Sequence, residues 1–167
     1  MSQVSNKVKW CINKAKRELE EGKKQRGLVE KEPEDSLARK HIGKSEHNYN
    51  AALFFAKNKY SDWSVSAFFY SIYHCFLAIA AKFGYESGNQ ECTIALVEML
   101  KEERKIELDD KFINTLKIEM KDEVESLIEI REEFQYGTEQ VFKEQERFDN
   151  LSKMCKDCID QAKDIIY

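Results

Sequence analysis

Apolar positions along the chain recur at helical spacing almost throughout. Val4, Val8, Cys11, Ala15 and Leu19 step by four, three, four and four. That is one face of a helix, and it ends near Gly22. The polar stretch up to Glu32 reads as a connector. Pro33, Glu34 and Asp35 suit a first helical turn, and the helix they open runs to about Lys57 with Ala38, Ile42, Tyr49, Ala52 and Ala56 inward. Ser61 or Asp62 is expected to cap a third helix that continues to Lys82 and stops near Gly84. This helix is apolar nearly all round, as one surrounded by others must be. Gly88 and Asn89 mark a loop, and a fourth helix follows from Gln90 to about Glu103 with Ile94, Val97 and Leu100 inward. A shorter helix is expected after Asp109 or Asp110, carrying Phe112, Ile113 and Leu116. Another starts at Asp122 and ends at Gly137, with Val124, Leu127 and Phe134 as its stripe. The last runs from about Glu144 to Ile166. No segment reads as a strand, an internal repeat or a low-complexity tract.

Composition narrows this picture. The chain of 167 residues has one proline and six glycines, and 35% of it is charged. Few breakers and many charges fit one domain of long amphipathic helices and exclude a loop-rich β sandwich. The net charge of −4 excludes a uniformly basic nucleic-acid binder. It does not exclude a local patch. Residues 1–26 hold eight Lys or Arg against three Glu, a balance of +5 that leaves −9 for the rest. Trp63 to Ala81 is nineteen residues without a formal charge, close to the length that spans a bilayer. Ser64, Ser66, Tyr70, Ser71, Tyr73 and His74 interrupt it, so a buried central helix with no membrane contact is expected. The first ten residues hold no apolar secretory run. Five cysteines, an odd number, are read as reduced and the location as cytoplasmic.

The chemistry-bearing residues are few. Cys155 and Cys158 have the spacing of half a zinc site. They fall on the seam formed by Phe148, Leu151, Ala162 and Ile165, where free cysteine acts as a small hydrophobe, and no second such pair exists to complete a metal site. No metal and no cofactor is expected. His74, with Tyr70 one turn before it, reads first as a hydrogen-bonded core histidine; Tyr70, Tyr73 and His74 also bring polar tips into an apolar element. There is no glycine-rich phosphate loop and no nucleophile elbow. Arg131 is the oddity: it falls on the stripe of Leu127 and Phe134, where a guanidinium must pair with a carboxylate, snorkel, or face a cleft and hold an anion.

Ala38-Arg39-Lys40-His41-Ile42-Gly43-Lys44-Ser45-Glu46-His47-Asn48-Tyr49-Asn50-Ala51-Ala52 is followed by Asp62-Trp63-Ser64-Val65-Ser66-Ala67-Phe68-Phe69-Tyr70-Ser71-Ile72-Tyr73-His74, then Cys92-Thr93-Ile94 and Ile130-Arg131-Glu132-Glu133-Phe134-Gln135-Tyr136. In order and spacing these segments resemble the HEPN superfamily, in particular an uncharacterised prokaryotic branch common in archaea, over about residues 36–166. The resemblance implies a helical bundle, often a homodimer with a cleft between protomers. It also implies either a metal-independent ribonuclease with an Arg-x4–6-His motif or a partner of small nucleotidyltransferases in toxin–antitoxin pairs. In the ribonucleases arginine holds the phosphate and histidine moves the proton of the ribose 2′-hydroxyl. This chain departs from that motif. Arg131 matches the arginine, Tyr136 stands where the nearest histidine would be, and no arginine has a histidine five to seven positions downstream. A tyrosine, with a pKa of about 10, is a poor base at neutral pH.

The expectation is therefore an all-α, HEPN-like bundle: an up-and-down core of four to five helices over residues 33–167, preceded by a basic helix and connector over residues 1–32. Functionally it is a cytoplasmic homodimer without ribonuclease catalysis. It binds a nucleotide, an RNA or a protein partner such as a nucleotidyltransferase through a cleft of Arg131, Tyr136, Tyr70 and His74. The alternatives are an atypical ribonuclease using Arg131 with Tyr136 or His74, and a structural dimer whose arginine only pairs with a carboxylate.

Overall fold

The computed structural model describes residues 2–117 and 126–167. Among these, seven helices and two short strands follow in the order α1 (Gln3–Glu20), β1 (Leu28–Glu30), α2 (Asp35–Lys57), α3 (Ser61–Lys82), β2 (Tyr85–Ser87), α4 (Gln90–Glu102), α5 (Asp110–Thr115), α6 (Leu127–Tyr136) and α7 (Gln145–Ile166). The fold is all-α, as the periodicity requires.

α3 is the centre. Phe68, Phe69, Ile72, Phe76 and Ile79 on it are fully or almost fully buried, and α2, α4, α6 and α7 pack around it. It is long and apolar enough to cross a membrane, with a mean hydropathy of 1.5, yet two-thirds of that window is buried inside the fold. Its hydroxyls explain how a core helix tolerates serine. Ser45 Oγ donates to the Ser71 carbonyl at 2.6 Å, and Ser71 Oγ donates back to the Ser45 carbonyl at 2.7 Å. Ser64 Oγ donates to the Ala52 carbonyl at 2.7 Å. Each buried hydroxyl is thus satisfied, and the paired positions run in opposite directions, so α2 and α3 form an antiparallel hairpin. Cys155 and Cys158 lie buried on the inner face of α7, where their spacing put them. Burial pushes the Cys155 thiol up to about 12 and raises that of Cys158 as well, so both are un-ionised hydrophobes rather than thiolates.

Three details differ from the sequence expectation. β1 and β2 pair antiparallel, Val29 opposite Glu86; three-residue strands are too short to show an alternation. Gly27 enters this sheet across α1, where a Cβ would stand 2.1 Å from the Cys11 carbonyl oxygen, so only glycine allows the approach. The second difference corrects the reading of five reduced cysteines. Cys11 of α1 and Cys92 of α4 form a disulfide with Cα atoms 5.9 Å apart, which leaves Cys75, Cys155 and Cys158 free. A separation of 81 residues carries no pairing signal; only the docking of α1 on α4 creates it. The third concerns Ser61, which opens α3 without capping it. Its hydroxyl instead accepts the Phe142 amide at 2.7 Å. The sixth helix, expected unbroken from Asp122, opens at Leu127 after an extended Ser126; Asp122, and Val124 on its stripe, lie outside the described residues.

Candidate functional site

The site is built where α6 crosses α3. Leu127 and Ile130 are the buried anchors of α6, and they carry Arg131 onto the flank of α3. Its guanidinium carbon lies 4.2 Å from the centre of the Phe69 ring and 5.8 Å from that of Tyr70. The Nη1 atom donates to the Tyr70 hydroxyl at 3.4 Å. The Nε atom is buried and has no hydrogen-bond partner. Among the described residues no carboxylate is within ion-pair distance of this arginine. The fork is held by stacking and one long hydrogen bond, so most of its donor capacity is unspent.

Arg131 lines a groove of about 610 Å³ together with Ile94, Ala95, Leu116 and Ile128 on its apolar side and Lys7, Glu91, Glu98, Lys117 and Glu132 on its polar side. Both of these lysines are already matched. Lys7 Nζ is 3.4 Å from Glu91, and Lys117 pairs with Glu98. Such partly exposed pairs are worth little and exchange readily for another anion. The wall from α1 was not foreseeable, because nothing in residues 1–32 says where that helix docks. Phe69 was equally hidden: its buried face and its role as a shelf for Arg131 both depend on how α6 crosses α3.

The four residues singled out from the sequence are only partly assembled. Tyr70 meets Arg131 directly. His74, one turn further along α3, faces α2 instead: its Nδ1 lies 3.0 Å from Nδ1 of His41, with the ring centres 5.2 Å apart. Burial, then the neighbouring His41 and Lys44, lower His74 to about 4, and burial lowers His41 too. Both imidazoles are therefore neutral at pH 7, and one Nδ1–H donates to the bare Nδ1 of the other. Tyr136 sits on the last turn of α6, 78% exposed. Five residues from Arg131, it points about 140° away around the helix. The arrangement can hold an anion against Arg131 and Tyr70. It does not put an imidazole beside that anion.

Neither a curated protein nor a solved structure matches the chain. One family model does, that of the HEPN domain, over residues 38–167. The matched region takes in α3 and α6, the two helices that hold Arg131, Phe69 and Tyr70, and leaves out α1 and β1. The chain belongs to the HEPN domain family.

Proposed function

We propose that this protein is a nucleotide- or RNA-binding HEPN module in which Arg131 and the Tyr70 hydroxyl take a phosphate, and that it works without the ribonuclease chemistry of its catalytic relatives. One observation carries the reading: a half-buried arginine, stacked on Phe69, has a buried Nε and no carboxylate partner among the described residues. A structural arginine would be expected to end on a carboxylate, whereas one kept for a ligand stays unspent. The groove beside it has an apolar floor of Ile94, Ala95 and Ile128 that suits a base or a ribose face. What supports the non-catalytic part is the engagement of His74 with His41 and the outward set of Tyr136.

A homodimer belongs to the same reading, as does a protein partner of the nucleotidyltransferase type. Support for an interface comes from Trp63 and Tyr70, seven residues apart on one face of α3 and exposed by 55% and 43%. A cytoplasmic location completes it.

The test is incubation of the purified protein with end-labelled single-stranded RNA in EDTA, reading retention and cleavage together. Retention without cleavage is expected. Arg131→Ala should weaken retention by about 10- to 100-fold, the worth of a charge-assisted hydrogen bond, with the helical circular-dichroism signal kept. Cleavage by the wild type and not by Arg131→Ala would overturn the non-catalytic reading and restore Tyr136 and His74 as candidates. Equal retention by both proteins would leave Arg131 a structural residue.

A further inference from the structure

The helix that lies outside the family match carries chemistry of its own. On α1, Lys7, Trp10, Lys14 and Arg17 recur at three, four and three residues and so form one outer stripe. The buried face of the same helix is Val8, Cys11 and Ala15, which leaves Trp10 turned to solvent. Its exposure is 47%. Two ammonium groups hold positions over the indole: Lys7 Nζ at 4.5 Å from the ring centre and Lys14 Nζ at 5.6 Å. This indole, half-exposed beside two cations, lies outside the buried face of the helix. Lys7 also lines the groove that contains Arg131, so the stripe and the groove share this residue.

We infer that α1 is a second contact site for single-stranded RNA, with a base stacked on Trp10 and the flanking phosphates held by Lys7 and Lys14. The chemistry selects this ligand. Every base has a π-face, so stacking on an indole tolerates any sequence, and it is stronger than an exposed cation–π contact. A base that slides onto the ring therefore displaces one lysine head. The freed ammonium is then available to a phosphate of the same strand. Lys7 and Lys14 lie seven residues apart, about 10 Å along the helix axis, a distance that a short single strand covers. An acidic peptide would satisfy the lysines and leave the indole unused. The inference rests on the proposed RNA-binding reading, since it extends the path of the same strand from the Arg131 groove to α1.

The experiment is fluorescence anisotropy of a labelled 12-nucleotide single-stranded RNA against the full chain, titrated at several salt concentrations. The variants are Trp10→Ala, Trp10→Phe, the pair Lys7→Gln with Lys14→Gln, and Arg131→Ala. Trp10→Ala should weaken binding by about tenfold or more, and Trp10→Phe should recover part of that loss. The double lysine variant should make the dependence on log salt shallower by about 1.4, the contribution of two single-strand phosphates. Trp10 is half-exposed and Lys7 pairs with Glu91, so thermal melts of these variants, run beside the titrations, separate lost binding from lost packing. Full affinity in Trp10→Ala, with Arg131→Ala weakened, would overturn the α1 site and leave the groove reading standing. Weakening by Trp10→Ala with Arg131→Ala unaffected would support the α1 site and remove the groove. RNA bound no better than a polyglutamate peptide of equal length would overturn the choice of ligand, and absence of RNA binding by the wild type would overturn both.

Discussion

Arg131 and His74 are both polar groups inside an apolar fold, and they solve the burial problem differently. Arg131 lays its guanidinium against the face of the Phe69 ring; His74 gives its charge up. The consequence for His74 is a pH dependence with a definite sign. Its folded value of about 4 lies below the 6.5 of an unfolded chain. Between those limits the unfolded state binds more protons, so stability is full above pH 6.5 and declines as pH falls toward 4. Thermal melts should show the midpoint dropping across that window, and less steeply in His74→Gln. An equal slope in the two proteins would mean that His41, which burial also lowers, and the carboxylates set it without His74. How much of the site could be read beforehand also turns on single residues. Arg131 stood out because a charge on an apolar stripe breaks the pattern. Tyr70 could be named because it shares the face of His74. Neither Phe69 nor His41 could be tied to them, since ring stacking and an imidazole pair across two helices depend on crossing geometry, which periodicity does not encode.

At the scale of elements, the helices follow from spacing and the connections do not. α3 was readable because nineteen uncharged residues with interspersed serines fit only a helix enclosed by others; the Ser45–Ser71 exchange supplies the reason those serines are tolerated. The α1 helix was equally readable, and its place on α4 was not. The Cys11–Cys92 link closes a loop of 81 residues. In the chain-entropy account such a closure contributes about 4–5 kcal/mol through the unfolded state. Reduction with dithiothreitol should therefore lower the melting temperature by about 8–20 °C, and the double variant Cys11→Ser with Cys92→Ser should melt at the reduced value with or without reductant. An unchanged midpoint would mean that packing of α1 on α4 alone holds the helix.

For the whole molecule, exposed aromatic surface is the feature that a lone protomer leaves unexplained. Trp63 and Tyr70 share one flank of α3, and Phe54 and Tyr60 stand exposed around the turn that joins α2 to α3. Exposed large apolar groups gathered in this way mark an interaction surface more often than scattered ones do. Light scattering during gel filtration should give about twice the 19.7 kDa chain mass, and Trp63→Ala should shift the protein toward the single-chain mass. A single-chain mass for the wild type at about 50 μM would overturn the homodimer.

The pairing of β1 with β2 bears on anyone who trims the chain. A fragment cut to residues 38–167 keeps the family's bundle and discards α1 and β1. Tyr85–Ser87 then becomes a bare sheet edge, and the side of α4 that α1 covered, Cys92 included, meets water. An open edge beside a newly uncovered apolar wall and a free thiol is a recipe for self-association. The shortened protein would thus clump for reasons unrelated to its biology, and its aggregates would be easily mistaken for native oligomers.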